Sequence, residues 1–76
     1  MFKSNIQNIY MQLFINFNDK SELYDVDKAL TIPQLKHVIE NNTYIPTDSQ
    51  YLICNNRILN NGTLEDNGLE LSLIHI

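Results

Sequence analysis

The sequence predicts an α+β domain in which a single helix packs on one face of a mixed β-sheet. Three observations carry that expectation. The run Tyr10 to Phe17 is rich in aromatic and β-branched residues and has a period of two. A capped apolar stripe at helical spacing follows Thr31. Several short apolar segments then come one after another, separated by Asn and Gly turns.

In the first strand Met11, Leu13 and Ile15 share one face, while Gln12, Phe14 and Asn16 share the other. Asn18-Asp19-Lys20 is a turn signal, and Ser21 to Asp27 is a second strand with Tyr24 and Val26 on one face. The short turn makes the pair an antiparallel hairpin. Thr31 is a good helix N-cap, Gln34 completes a capping box, and Pro33 lies in the first turn, where a missing N–H costs nothing. Ile32, Leu35, Val38 and Ile39 form one stripe, and Asn41-Asn42 ends the helix.

The segment 44–50 is a connecting loop, and Tyr51 to Cys54 is a third strand. Asn55-Asn56 is a tight turn before a short fourth strand, Arg57 to Leu59. Thr63 to Asp66 forms one helical turn capped by Thr63, which Asn67-Gly68 breaks. Leu71 to Ile76 is the last strand. Leu13, Ile15, Leu35, Ile39, Leu52 and Leu59 are expected in the core, with Leu64 and Leu69 completing it.

Composition bounds the function. The chain has 76 residues, which is one small domain, and 43% of them are hydrophobic. Its formal net charge is -4, the wrong sign for a nucleic-acid clamp. No apolar run is long enough to span a membrane, and Met1 to Tyr10 lacks the apolar core of a secretory signal. A single cysteine, Cys54, excludes an internal disulfide and makes a reducing compartment the default. The expected location is cytoplasmic, with the nucleus as the alternative. Asn occurs at eleven positions and Ile at ten, the mark of an AT-rich genome.

The residues offer little for catalysis. His37 and His75 have no carboxylate or thiol near them at metal-ligand spacing. Cys54 has no sequence partner resembling a catalytic dyad and reads as a half-buried structural thiol. Only Gly62 and Gly68 exist, so there is no glycine-rich phosphate loop. No enzyme, no metal and no cofactor is expected.

The order of elements and several local matches resemble the ubiquitin family, whose fold is the β-grasp. Met11-Gln12-Leu13-Phe14-Ile15 resembles its opening strand, and the apolar positions of Thr31 to Ile39 match its helix. The sharpest match is Ile45-Pro46-Thr47-Asp48-Ser49-Gln50-Tyr51-Leu52-Ile53, similar to the family's I-P-x-D-x-Q-x-L-I segment. Leu59 and Gly62-Thr63-Leu64-Glu65-Asp66 continue it. The resemblance covers Met11 to about Ile76, so residues 1–10 are taken as an N-terminal extension and 11–76 as the ubiquitin-like domain.

The resemblance implies docking of protein partners on an apolar patch of the exposed sheet face. The matching positions are Ile53, Ser72 and Ile74, with Phe14 adding apolar area near the first turn beside Phe17. If Leu52, Leu71 and Leu73 are buried, alternation turns Ile53, Ser72 and Ile74 outward. Covalently attached members end in a tail closing with two glycines, whereas this sequence ends Leu73-Ile74-His75-Ile76. Arg57 stands where the family modifier carries a chain-linking lysine. The expectation is therefore a non-conjugating interaction module that binds proteins and neither nucleic acid nor membrane. The alternatives are a component of a large assembly such as the ribosome, since some relatives are fused to ribosomal proteins, and a modifier precursor whose tail lies beyond Ile76.

Overall fold

The computed structural model describes residues 9–76. Residues 1–8, and with them most of the expected extension, lie outside the described residues. The first hairpin is β1 (Tyr10–Phe17) and β2 (Lys20–Asp27), joined through Asn18 and Asp19. Both turn residues have positive φ, 54° and 62°, a conformation Asn and Asp adopt at low cost and one that matches the twist of the flanking strands. The pairing runs in unbroken register from Tyr10 opposite Asp27 to Phe17 opposite Lys20. Tyr10 is thus part of the strand, as its period-two pattern predicts.

The helix α1 spans Ile32–Thr43. The capping box forms as expected: the Gln34 backbone N–H donates to Thr31 Oγ1 at 3.3 Å, and the Thr31 N–H donates to Gln34 Oε1 at 2.9 Å. The helix runs one residue past the Asn pair. It stops at Tyr44, a left-handed residue at φ 64° whose N–H donates to the Glu40 carbonyl at 2.8 Å. Ile32, Leu35 and Ile39 are buried, and Val38 is half-buried at the edge of the stripe.

The remaining strands are short. A 3-10 turn at Thr47–Ser49 precedes β3 (Ile53–Cys54), β4 (Arg57–Ile58) and β5 (Leu73–His75). Tyr51 and Leu52, expected in the third strand, lie outside the regular ladder. Even so, the Leu59 N–H donates to the Leu52 carbonyl at 2.8 Å and prolongs the pairing. The Asn55-Asn56 turn has φ of 53° and 67°, the two left-handed residues a tight hairpin needs.

The strand order is β2-β1-β5-β3-β4, with β1 and β5 parallel and the other pairs antiparallel. The segment around Thr63 runs beside the helix entry. The Ile32 N–H donates to the Gly62 carbonyl at 3.0 Å, and the Leu64 N–H to the Leu30 carbonyl at 2.8 Å. Gly62 sits at φ 83°, where a Cβ would also come within 3.2 Å of the Asn67 amide nitrogen, so any other residue would be strained here. Thr63 caps the following turn, its Oγ1 accepting from the Asp66 N–H at 2.9 Å.

One core fills the space between sheet and helix. Met11, Leu13 and Ile15 of β1 and Tyr24 and Val26 of β2 meet Ile32, Leu35 and Ile39 of α1, and Leu52, Leu59, Leu64 and Leu69 close it from the loops. Each such side chain contributes ~1.5–3 kcal/mol by leaving water. Cys54, expected half-buried, is fully inside on β3.

Ile74 is the principal correction. It was expected on the outer surface, and it is 0% exposed. The parallel pairing sets Ile74 beside Ile15 and Leu73 beside Phe14. Ile74 therefore shares the inward face of β1, while Leu73 and Leu71, expected in the core, face solvent. The physical reason lies in the sequence Leu71-Ser72-Leu73-Ile74-His75-Ile76. Its first three residues alternate in one phase and its last three in the other. The strand adopts the second phase, because Ile74 and Ile76 both reach the core that way while Leu71, at φ 57°, belongs to the turn before the strand.

Candidate functional site

The inner face of the sheet is covered by α1, and among the described residues no element covers the outer one. Register assigns the outward positions. On β1 and β2 these are Tyr10, Gln12, Phe14 and Asn16, opposite Asp27, Asp25, Leu23 and Ser21. On β5 they are Leu73 and His75, beside Phe14 and Asn16. Ile53 of β3 lies opposite both His75 and Ile58 of β4.

An apolar band results that crosses all five strands: Leu23, Phe14, Leu73, Ile53, Ile58. Leu23 is 54% exposed, Phe14 37%, Leu73 42% and Ile58 56%. Ile53 is half-buried among its neighbours. Leu23, Phe14 and Leu73 are adjacent in register, and the band steps along β5 by two residues to reach Ile53. Ile53, Leu73 and His75 line a shallow depression together with Ser72 and the Asn55-Asn56 turn.

Of the residues the sequence singled out, Phe14 and Ile53 lie on this face. Ser72 borders it, half-buried, with its carbonyl accepting from the Phe14 N–H at 2.8 Å. Ile74 does not belong to it. Leu73 replaces Ile74, and Leu23 and Ile58 extend the band to both edges. Leu23 was readable, since it alternates with the buried Tyr24 and Val26. Ile58 was readable too, as the neighbour of buried Leu59. Leu73 was not, because its exposure depends on the phase of β5.

The charges beside the band are negative. Asp25 and Asp27 face outward on β2, and the Glu70 carboxylate accepts from the Gln12 N–H at 3.3 Å. Asp27 also holds the end of its strand, its Oδ1 accepting from the Ala29 N–H at 2.8 Å. No outward position of the five strands carries Lys or Arg.

A second concavity lies at the open edge of the hairpin, between β2 and the end of α1, lined by Ile15, Phe17, Lys20, Glu22, Tyr24 and Asn42. The Tyr24 hydroxyl is buried there without a hydrogen-bond partner. Burial, and then the Glu22 carboxylate, raise its pKa above the ordinary value. The Asn42 side chain draws it down in part, although no hydrogen bond of normal geometry joins the two; the Asn42 amide donates to the Val38 carbonyl at 2.9 Å.

Among the described residues no group of three His, Cys, Asp or Glu side chains is placed to hold a metal ion. No helix among them is long and apolar enough to cross a membrane.

A five-stranded mixed sheet with a parallel central pair, grasping one helix, defines a β-grasp protein. The solved structures it matches make the class more specific. A de novo design based on ubiquitin superposes with a TM-score of 0.77 at 21% identity, covering 91% of this chain and 88% of the design. The ubiquitin-like domain of an Arabidopsis thaliana protein, solved in solution by NMR, superposes with a TM-score of 0.79 at 22% identity, covering 99% of this chain and 83% of that one. The fold is ubiquitin-like. At these identities the likeness concerns the fold alone. No family model matches the sequence, and neither does any curated protein.

Proposed function

We propose that this protein is a ubiquitin-like interaction module that docks protein partners, in cytoplasm or nucleus, through the outer face of its sheet. The observation that carries this reading is the apolar band from Leu23 to Ile58, which crosses the sheet from edge to edge and, among the described residues, has no element packed on it. Contiguous apolar surface of this kind gains nothing for the monomer and gains free energy when a partner covers it. The negative charge around it favours protein over nucleic acid. The role is binding rather than catalysis. The interface is small, so affinity is expected to be modest.

The test compares the full chain with its Leu73→Asp variant as baits in native lysate, after thermal unfolding has shown that both fold. Leu73 is exposed, so the variant should keep its stability. It should lose the partners recovered by the parent, because its carboxylate would have to be desolvated against an apolar surface. A folded variant that recovers the same proteins would place the functional surface elsewhere.

A further inference from the structure

The face is specific in shape and charge, and both point to one kind of occupant. We propose that it receives an amphipathic α-helix bearing lysine or arginine beside its apolar edge. This rests on the docking role of the outer face and adds the chemistry of the partner.

The spacing of the strands matches a helix. Five adjacent strands about 4.8 Å apart spread the band over roughly 19 Å across the sheet. A helix turn advances about 5.4 Å, so three to four turns lying across the strands would set one apolar side chain near each strand. The opposite face of the same sheet already holds such a guest. There α1, 12 residues long, buries Ile32, Leu35 and Ile39 at helical spacing. An extended segment would instead seek the backbone donors and acceptors of an edge strand, and those lie at the rim of the sheet rather than on its face.

The charge around the band fixes the sign of the partner. Asp25, Asp27 and Glu70 flank the Leu23–Phe14–Leu73 half of the band, and no outward strand position supplies Lys or Arg. Lys28, close in sequence to Asp27, is paired with Glu65 at 3.4 Å. The whole chain is acidic at -4. A partner with cations beside its apolar edge is attracted and steered, and one with carboxylates there is repelled. The same sign disfavours a second copy, because face-to-face pairing would bring the two sets of carboxylates together.

The experiment uses the full chain, isotope-labelled, and two model helices of about 15 residues, long enough to be helical when bound. Both carry Leu at every third or fourth position. One has Lys and the other Glu at the flanking positions. The lysine peptide should shift the amide signals of Leu23, Phe14, Leu73, Ile53 and Ile58 and bind about tenfold or more tightly than the glutamate peptide at low ionic strength. That preference should shrink as salt shortens the screening length from about 30 Å to about 3 Å. Asp25→Lys should narrow it, and Leu73→Asp should abolish binding of the lysine peptide.

Equal binding of the two peptides at the band, or tighter binding of the glutamate peptide, overturns the charge proposal and leaves the docking face standing. Failure of both peptides to shift the band, or lysine-peptide binding that survives Leu73→Asp, overturns the docking face as well.

Discussion

Ile53 on β3 stands opposite His75 on β5, and Ile74 points the other way, into the core beside Ile15. This single register separates two neighbouring residues by function. Ile74→Ala should cost ~2–5 kcal/mol in chemical denaturation, the usual cost of emptying a fully buried aliphatic site. Ile74→Asp should fail to fold, because a carboxylate at that position has no partner. Leu73→Asp, one residue earlier, should change stability by about 0.5 kcal/mol or less. A stability loss at Ile74 below about 1 kcal/mol, or unfolding of the Leu73 variant, would mean the strand runs in the opposite phase.

Most of the fold was legible because independent local signals agreed. Thr31 and Gln34 announced the helix start, Asn55-Asn56 the hairpin, and the alternation of Met11, Leu13 and Ile15 the first buried face. The Ile45 to Ile53 segment carried the family resemblance. What escaped reading was the phase of β5. Leu71-Ser72-Leu73 and Ile74-His75-Ile76 propose opposite phases, and only the pairing with Phe14 and Ile15 chooses between them. One strand read in the wrong phase moved the candidate site by one residue, from Leu73 to Ile74. Strand lengths were overestimated for a related reason. Tyr51 continues the apolar pattern outside the regular strand, and Leu59 lies one residue beyond its own, tied back only by its N–H to the Leu52 carbonyl.

Gln50 provides a second test, through a tie that sequence pattern alone could not specify. Its side chain is 2% exposed, and its amide nitrogen donates to the Lys36 carbonyl at 2.9 Å and the Ile45 carbonyl at 3.0 Å. One amide group thus fastens the helix to the loop that leads into β3. Gln50→Ala would remove both donors and leave a void, with an expected cost of ~1–3 kcal/mol. Amide hydrogen exchange should speed up locally in α1 and in residues 45–50. A variant as stable as the parent, with unchanged exchange, would show that water replaces the tie at no cost.

The helix cap makes a third. Thr31 Oγ1 satisfies the Gln34 N–H, and Thr31 also bridges to Thr63 through its backbone. Thr31→Ala deletes the first interaction and keeps the second. The expected loss is ~0.5–2 kcal/mol, with Thr31→Ser restoring most of it. If Thr31→Ser were no better than Thr31→Ala, the methyl group rather than the cap would be responsible.

Tyr24 buries a hydroxyl that has no partner. Burial, followed by the Glu22 charge, raises its pKa in the folded state. In the unfolded chain the phenol ionises near its ordinary value of about 10. Between these two values the folded protein holds more protons than the unfolded one, so stability falls as pH rises. The contribution of Tyr24 is therefore complete below about pH 10 and is lost as pH climbs through the raised folded value. Tyr24→Phe keeps the ring in the core and removes both the ionisation and the unsatisfied hydroxyl. At neutral pH the variant should be as stable as the parent or more stable by about 1 kcal/mol, since a stranded buried hydroxyl is costly. Above about pH 10 its advantage should widen, because only the parent loses the contribution of a phenol that resists ionisation. Urea unfolding of both proteins at neutral and alkaline pH reads the difference directly, with the variant's curve serving to subtract every other titrating group. A variant less stable than the parent at neutral pH would reveal a hydrogen bond to the hydroxyl, with Asn42 across the cleft as its partner. Parallel pH profiles would show that Tyr24 meets water as freely in the folded protein as in the unfolded chain.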